Sequence, residues 1–235
     1  MQLFYAPDFT ADTYTLPQEE SAHCIKVLRA VKGDTLHFTD GRGGLITARV
    51  EIADRNGTVV SAVERSADPS PLTYDLTVAC APTKNMDRFE WFVEKAVEVG
   101  CAKVVPLCCE RSERRTVKEE RLQRVAVSAM KQSLKCRLTE ISPIVSFDDF
   151  IGRDYGDAQL FIAHCAPDEH KRLLRDLVEP KRRVVVMIGP EGDFSHREVE
   201  RAEAAGFKPV SLGESRLRTE TAALAGVMTV ALVNQ

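Results

Sequence analysis

Several common signals of function are missing from this sequence. The seven cysteines form no Cys-x-x-Cys pair, which argues against a metal or disulfide framework and predicts reduced, mostly packed thiols. No apolar run is long enough to span a membrane, and residues 1–5 lack the layout of a signal peptide. The net charge of −3 gives no overall sign of nucleic-acid binding. We therefore expect a cytoplasmic protein without a metal or membrane partner, in which any basic surface is local.

The first seventy residues predict a small β domain. Short alternating runs recur at residues 35–39, 45–52 and 58–63, and Asn56-Gly57 between the last two is a strong hairpin signal. Closely spaced strands of this kind favour a barrel. A short helix with basic residues is predicted before them, from Ser21 to Arg29. Periodicity breaks at Ser66 to Pro71, so we predict one domain over residues 1–70 and a second over 71–235.

For the second domain the sequence predicts an α/β fold. Predicted strands and helices alternate from Leu72 onward, and such alternation favours a mainly parallel sheet. Asn85 is a candidate helix cap, and Gly100 a candidate helix end. Ser195 and Glu198 have the spacing of a capping box. Strands are predicted at residues 76–81, 103–107, 159–163, 184–187 and 209–212, and an apolar helix at 221–233.

Two polar stretches follow predicted strands, Ile188 to Ser195 and Leu212 to Ala222. Ligands bind at the carboxyl ends of strands in open α/β sheets, so we expect these two stretches to form one site. The first lacks the Lys-Ser/Thr of a P-loop and the three glycines of a dinucleotide fold. Taken alone, its Gly-Pro is also typical of a plain strand-to-helix turn. The charged pair Arg218 and Glu220 in the second stretch favours a functional site.

Basic residues concentrate between Arg111 and Arg137, a stretch that contains nine basic residues and three acidic ones. On a helix beginning near Lys118, the spacing puts Arg121, Arg124, Lys131 and Lys135 on one face. Two interpretations stay open at this point. The face is either an ordinary solvated helix surface or a surface that contacts phosphates.

A specific resemblance joins these stretches. Ile188-Gly189-Pro190-Glu191-Gly192 with Phe194-Ser195, followed by Ser211-Leu212-Gly213 and Leu217-Arg218-Thr219-Glu220-Thr221-Ala222, resembles the ribosomal RNA small-subunit methyltransferase E family of bacteria. His23 with Val27-Leu28-Arg29 and Asp40-Gly41 resembles that family's N-terminal domain. Glu110-Arg111-Ser112 and Gln132-Ser133 resemble its central segment. The resemblance covers nearly the whole chain.

The resemblance implies a PUA-like RNA-binding barrel followed by a parallel-sheet domain of the SPOUT class, whose C-terminal part is a trefoil knot. It implies methylation of N3 of a uridine in 16S ribosomal RNA, either free or in the assembled small subunit, with S-adenosylmethionine as the methyl donor. The residues expected to bind this cofactor are Ala163, His164, Ile188, Gly189, Pro190, Glu191, Gly192, Leu212, Gly213, Leu217 and Thr219.

Two departures from the family pattern stand out. Asp193 occupies a position where the family usually has glycine, and Ser215-Arg216-Leu217-Arg218 replaces the usual Arg-Ile-Leu-Arg. For the chemistry, N3 of uridine must lose a proton, so we expect Glu220 as the base and Arg218 as the group that stabilises the uracil oxyanion. Glu191 is the weaker candidate base, because its glycine-flanked turn favours a structural hydrogen bond.

RNA contacts are expected from His23, Arg29, Arg121, Arg124 and Lys131. The last helix is apolar on all sides, which predicts burial on all sides and hence a homodimer through that helix. Two other functions remain as alternatives. One is a non-enzymatic RNA-binding protein, and the other is an α/β enzyme for a different nucleotide; binding of S-adenosylmethionine separates both from the methyltransferase.

Overall fold

The computed structural model describes residues 2–166 and 171–235, which form two compact units. The first unit contains residues 2–71 together with 130–138, and the second contains 72–129 together with 139–235. The segment 130–138 thus belongs to the first unit, although it lies far along the chain. It is joined there by hydrogen bonds such as that from the Thr39 hydroxyl to the Cys136 carbonyl, at 2.9 Å.

The first unit is built on one five-stranded sheet, with the strand order β1-β3-β4-β5-β2. Strand β1 pairs in parallel with β3, and the other pairings are antiparallel. Alternating apolar residues fill the core on one side, among them Phe4, Phe38 and Val60. The small β domain and its hairpin are therefore confirmed. The elements are β1 (Leu3–Tyr5), β2 (Thr13–Thr15), α1 (Gln18–Lys26), β3 (Thr35–Thr39), β4 (Gly44–Ile52) and β5 (Val59–Ala67).

Helix α1 lies three residues earlier than the sequence predicts. Pro17 occupies its N-cap position, and Glu19 and Glu20 lie in its first turn, where acidic side chains are favourable. The helix ends at Lys26, and Arg29 beyond it adopts a positive φ of 55°. The prediction of Arg29 as a helical residue is therefore wrong, because the chain has already turned out of the helix before reaching it.

The second unit contains an eight-stranded parallel sheet, which confirms the α/β prediction. The strand order is β11-β13-β10-β12-β6-β7-β8, and β9 pairs with β7. The strands are β6 (Asp75–Cys80), β7 (Lys103–Cys108), β8 (Glu140–Ile141), β9 (Val145–Ser146), β10 (Gln159–Ala163), β11 (Arg172–Leu173), β12 (Arg183–Ile188) and β13 (Lys208–Ser211). The helices are α2 (Met86–Val99), α3 (Glu119–Gln132), α4 (Phe147–Ile151), α5 (His196–Ala204) and α6 (Thr219–Val233).

The helix boundaries follow the local signals in the sequence. The Asn85 side chain accepts a hydrogen bond from the Asp87 backbone amide, and Gly100 ends α2 with a left-handed φ of 115°. Ser195 and Glu198 form both bonds of a capping box at the start of α5. One helical prediction is wrong: Lys135 lies beyond the end of α3 at Gln132 and so is not on its basic face.

The last helix, α6, packs against α2, β6 and β12. Its buried residues include Ala223, Val227 and Val230, whereas Met228 and Leu232 are 39% and 59% exposed. One apolar face is therefore left uncovered. Among the described residues, no helix has both the length and the apolar character needed to cross a membrane. The trefoil knot implied by the resemblance concerns the threading of the chain, which strand order does not test, and it stays a prediction.

Candidate active site

The turn that follows β12 and the loops after β6, β7, β10 and β13 all leave the carboxyl edge of the parallel sheet. The register of the central strands shows which of these segments are neighbours. Ile188, the last residue of β12, pairs with Cys80 of β6 on one side and with Ala163 of β10 on the other. Both stretches singled out in the sequence begin at this edge, where α/β sheets bind ligands.

The turn after β12, which we call the β12 turn, comprises residues 189–194. The Asp193 backbone amide donates to the Pro190 carbonyl at 2.9 Å and closes the turn. Gly189 is required by packing, because a Cβ there would lie 3.0 Å from the Phe194 backbone nitrogen. Gly192 is different: a Cβ there would meet only the Arg111 side chain, at 3.5 Å or more. The predicted cofactor residues Ile188, Gly189 and Pro190 are buried, and Glu191 and Gly192 are exposed.

The loop after β6 holds one end of the β12 turn. The Lys84 backbone amide donates to Glu191 Oε1 at 2.9 Å. The Glu191 carboxylate thus accepts a main-chain hydrogen bond, which is the structural role that the sequence favours for it. The neighbouring Arg114 guanidinium donates to the Lys84 carbonyl at 3.0 Å, so the Lys84 backbone is held through both its amide and its carbonyl.

The loop after β7 holds the other end of the turn through consecutive residues. Arg111 Nη1 donates to the Gly192 carbonyl at 2.9 Å. Glu110 Oε2 accepts from the Ser195 hydroxyl, and the Glu110 amide donates to Glu198 Oε1, both at 2.8 Å. Glu198 is buried and also accepts from the Ser195 amide within the capping box. The segment Glu110-Arg111-Ser112, which the sequence marks only by its resemblance to the family, therefore anchors the β12 turn.

The loop after β10 begins with His164 and Cys165. Ala163 is the last residue of the strand, and His164 next to it is buried. The His164 carbonyl accepts from Lys171 Nζ at 2.9 Å. The Cys165 backbone amide donates to Asp193 Oδ2 at 2.8 Å, so this loop also contacts the β12 turn.

The loop after β13, which we call the β13 loop, comprises residues 212–218 and is more open. Gly213 adopts φ 128°, a conformation that favours glycine, and a Cβ there would meet no atom of the described residues within 4 Å. Leu212 and Leu217 are half-buried, and the residues between them are exposed. The Ser211 hydroxyl bonds both the amide and the carbonyl of Gly213, which keeps that bend local.

The predicted catalytic pair lies at the start of α6. Arg218 is the exposed N-cap residue, Thr219 is buried, and Glu220 is only 8% exposed. The Arg88 Nε atom of α2 lies 3.9 Å from Glu220 Oε1 and provides a nearby positive charge. Burial raises the pKa of the Cys80 thiol well above its usual range, and Cys109, Glu220 and Glu191 raise it further. Both carboxylates therefore lie near the carboxyl end of β6.

The five predicted RNA-contacting residues fall in both units. In the first unit, His23 is half-buried on α1 with its ring 6.4 Å from that of Phe4, and Arg29 is exposed. Lys131 forms an ion pair with Glu20 at 2.6 Å. In the second unit, Arg121 pairs with Glu90 at 2.6 Å, and Arg124 is exposed on α3. Two of the five residues, Arg121 and Lys131, are thus already paired with carboxylates.

Sequence reasoning assigned no role to four residues of this edge: Lys84, Arg88, Arg111 and Asp193. Lys84 contributes a backbone amide, and Arg88 is near Glu220 only because α2 packs against α6. Neither role has a local sequence signal. Arg111 and Asp193 had a signal, since the first lies in a quoted motif and the second departs from the family pattern. In the described part of the chain, no group of three or more His, Cys, Asp or Glu side chains is arranged to hold a metal ion.

Comparison with known proteins defines the class to which this fold and site belong. Residues 69–231 match the family described as RNA methyltransferase domain, and residues 16–61 match the RNA methyltransferase PUA domain. A crystal structure of a probable rRNA-methyltransferase from Porphyromonas gingivalis is 43% identical. It covers 100% of this chain and 98% of its own, with a TM-score of 0.92. The chain belongs to the RNA methyltransferase family.

Two further relatives define the branch of that family. Ribosomal RNA small subunit methyltransferase E of Synechocystis is 29% identical over 227 residues, covering 94% of this chain and 74% of the relative. The protein of the same name from Neisseria gonorrhoeae, solved bound to S-adenosyl methionine, is 27% identical. It covers 100% of this chain and 98% of its own, with a TM-score of 0.88. The resemblance to the ribosomal RNA small-subunit methyltransferase E family and the PUA-like assignment are confirmed.

Proposed function

We propose that this protein transfers a methyl group from S-adenosylmethionine to N3 of a uridine in 16S ribosomal RNA of the small subunit. The observation that carries the proposal is the start of α6, directly after the β13 loop, where Glu220 is buried and Arg218, two residues earlier, is exposed. The relatives' names support the ribosomal RNA substrate and the methyl donor. The chemistry of the pair supports the uridine N3 atom.

The loops suit S-adenosylmethionine because they offer space and main-chain polar groups together. Positions 192 and 213 are glycines beside which a ligand can approach the backbone, since little or no protein lies within contact of their missing side chains. Ala163, His164, Ile188 to Gly192, Leu212, Gly213, Leu217 and Thr219 would surround the cofactor. Half-buried Leu212 and Leu217 provide apolar contacts. When bound, the cofactor supplies an electrophilic methyl group on a sulfonium.

Glu220 and Arg218 have complementary roles in this proposal. Glu220 accepts the N3 proton of uridine, and a positioned base of this kind contributes about 10²–10⁴-fold in rate. Arg218 stabilises the negative charge that then spreads onto the uracil oxygens. Arg88 Nε lies 3.9 Å from Glu220 Oε1 and places a positive charge next to the carboxylate. Removing the proton makes N3 a nucleophile, so the chain has to align it with the methyl group.

RNA binding is assigned to His23, Arg29, Arg121, Arg124 and Lys131. Exposed Arg29 and Arg124 are available for phosphates without breaking a described ion pair, whereas Arg121 and Lys131 must exchange a carboxylate partner for a phosphate. Because that exchange weakens the gain, we expect Arg29 and Arg124 to contribute more than the paired residues.

The uncovered face of α6 supports a homodimer. Met228 and Leu232 are large, apolar and partly exposed on a helix that is otherwise packed on its own sheet. A two-fold contact covers this face with a second copy of itself. We expect sedimentation to show a dimer at micromolar concentration, and Leu232→Glu to shift the protein toward a monomer. A wild-type monomer at that concentration would contradict the assignment.

The deciding experiment is methyl transfer to small ribosomal subunits, and to free 16S RNA, from cells that lack this gene. Incubation with labelled S-adenosylmethionine should produce 3-methyluridine at one site, located by mass mapping of RNA fragments. Comparison of the two RNA substrates also decides which one the enzyme uses. A methyl group on another base, or on a ribose, would overturn the assignment to N3, and absence of S-adenosylmethionine binding would overturn the whole proposal.

A further inference from the structure

We propose that Asp193 is a positioning residue that ties the loop after β10 to the β12 turn and so organises the cofactor pocket before the ligand binds. This inference rests on the proposed use of S-adenosylmethionine. The Asp193 side chain supplies contacts that a glycine at this position could not make.

The Asp193 carboxylate makes two main-chain hydrogen bonds. Its Oδ2 atom accepts from the Cys165 amide, and its Oδ1 atom accepts from the Phe194 amide, both at 2.8 Å. Cys165 lies two residues after the end of β10, and Phe194 lies within the β12 turn. One carboxylate thus joins segments that follow two neighbouring strands. Hydrogen bonds to an ionised acceptor are among the stronger ones in proteins.

The backbone conformation at Asp193 is one that costs free energy for a residue with a side chain. Its φ of 62° lies in the left-handed region, where glycine is favoured and Asp is tolerated better than most other residues. A glycine would adopt this conformation more easily, and yet the chain has a carboxylate here. The two hydrogen bonds offset the backbone cost.

Asp193 completes a set of ties around the β12 turn. Lys84 holds the turn from the loop after β6, and Arg111 holds it from the loop after β7. Asp193 adds the contact to the loop after β10, which follows the predicted cofactor residue Ala163 and begins with another, His164. A pocket whose walls are already joined loses less conformational freedom on binding, so its affinity for the ligand is higher.

Three variants separate the tie from its backbone conformation. Asp193→Gly removes both hydrogen bonds and relaxes the positive φ. Asp193→Asn keeps tolerance for that φ but has only one acceptor oxygen, so it retains one of the two bonds. Asp154→Gly is the matched control: Asp154 Oδ1 also accepts from a backbone amide, that of Gly156, but in the turn before β10 at the opposite end of that strand.

Three measurements on the 235-residue chain test the inference. Hydrogen exchange at the Cys165 amide reads the tie directly, without cofactor. Calorimetry reads S-adenosylmethionine affinity, and steady-state kinetics separate KM for the cofactor from kcat. We expect Asp193→Gly to accelerate Cys165 exchange, to weaken cofactor binding about tenfold, as loss of a charge-assisted hydrogen bond implies, and to raise KM while kcat at saturating cofactor is retained. Asp193→Asn should be intermediate, and Asp154→Gly should match the wild type.

Unchanged Cys165 exchange in Asp193→Gly would overturn the inference, as would faster exchange with unchanged cofactor affinity. A fall in kcat without a change in KM would also overturn it, since that result assigns Asp193 to the chemical step. A wild-type protein that binds no S-adenosylmethionine would overturn the proposed function and this inference together. Wild-type binding with an unaffected Asp193→Gly variant would overturn this inference alone.

Discussion

The β12 turn and the β13 loop lie at the same edge of the sheet, but they are held in different ways. Lys84, Arg111 and Cys165 donate hydrogen bonds to the β12 turn from three other loops. The β13 loop is mostly exposed, and its bend at Gly213 is held by a local bond to Ser211. The comparison indicates that the β12 turn is fixed by other loops, whereas the β13 loop is open and leads into the proposed catalytic pair.

The largest effect is expected at the end of the open loop. Glu220→Gln removes the proposed base but keeps the size of the side chain, so kcat should fall by about 10²–10⁴-fold while cofactor affinity is retained. Exposed Glu214→Gln in the β13 loop, six residues before Glu220, is the control and should leave kcat unchanged. Single-turnover methyl transfer measures both variants. Wild-type kcat in Glu220→Gln would show that another group accepts the proton.

Removing a hydrogen bond that holds the β12 turn should weaken cofactor binding more than it slows the chemical step. Arg111→Ala leaves the exposed Gly192 carbonyl without its donor at 2.9 Å, and loss of such a hydrogen bond costs about 0.5–1.5 kcal/mol. We expect cofactor affinity to fall by roughly two- to tenfold, with partial recovery in Arg111→Lys. Exposed Arg197→Ala on α5 is the control. Calorimetry of the three variants checks the comparison, and equal affinities would show that the tie does not shape the pocket.

Substitution of one glycine in each segment should have different effects on stability and on cofactor binding. Gly213→Ala forces a side chain into φ 128°, so it should lower the free energy of unfolding by about 1–3 kcal/mol. Gly192→Ala meets Arg111 at an ordinary contact distance of 3.5 Å, so it should leave stability nearly unchanged and reduce cofactor binding. Urea unfolding and calorimetry measure the two effects. A Gly192→Ala variant that binds the cofactor normally would place the ligand away from the β12 turn.

The smallest effect concerns the proposed RNA-binding surface on α3. Arg124→Ala should reduce the log–log salt dependence of RNA binding by roughly one unit, because one phosphate contact is lost. Arg121→Ala should reduce it less, because Arg121 already pairs with Glu90 at 2.6 Å. Cofactor affinity should not change in either variant. Identical slopes in both variants and the wild type would favour the plain solvated surface that the sequence left open.

Much of the fold was predictable because its signals are local. Asn85, Gly100 and the Ser195–Glu198 pair each act within a few residues of their own position, and the structure bears out all three. The prediction failed where a neighbouring residue overrode the pattern. Pro17 and the acidic residues after it start α1 early, and the positive φ at Arg29 lies outside that helix.

By itself, the sequence determined the alternation of strands and helices, the two polar stretches and the identity of their acidic and basic residues. Periodicity and capping are properties of short segments, so they can be recognised without knowledge of the fold. Only the tertiary structure decided which residues hold those stretches in place. Arg111 reaches Gly192 across 81 positions of sequence, and Arg88 lies beside Glu220 although the chain separates them widely. Such contacts depend on strand order and register, because those properties decide which loops share an edge of the sheet.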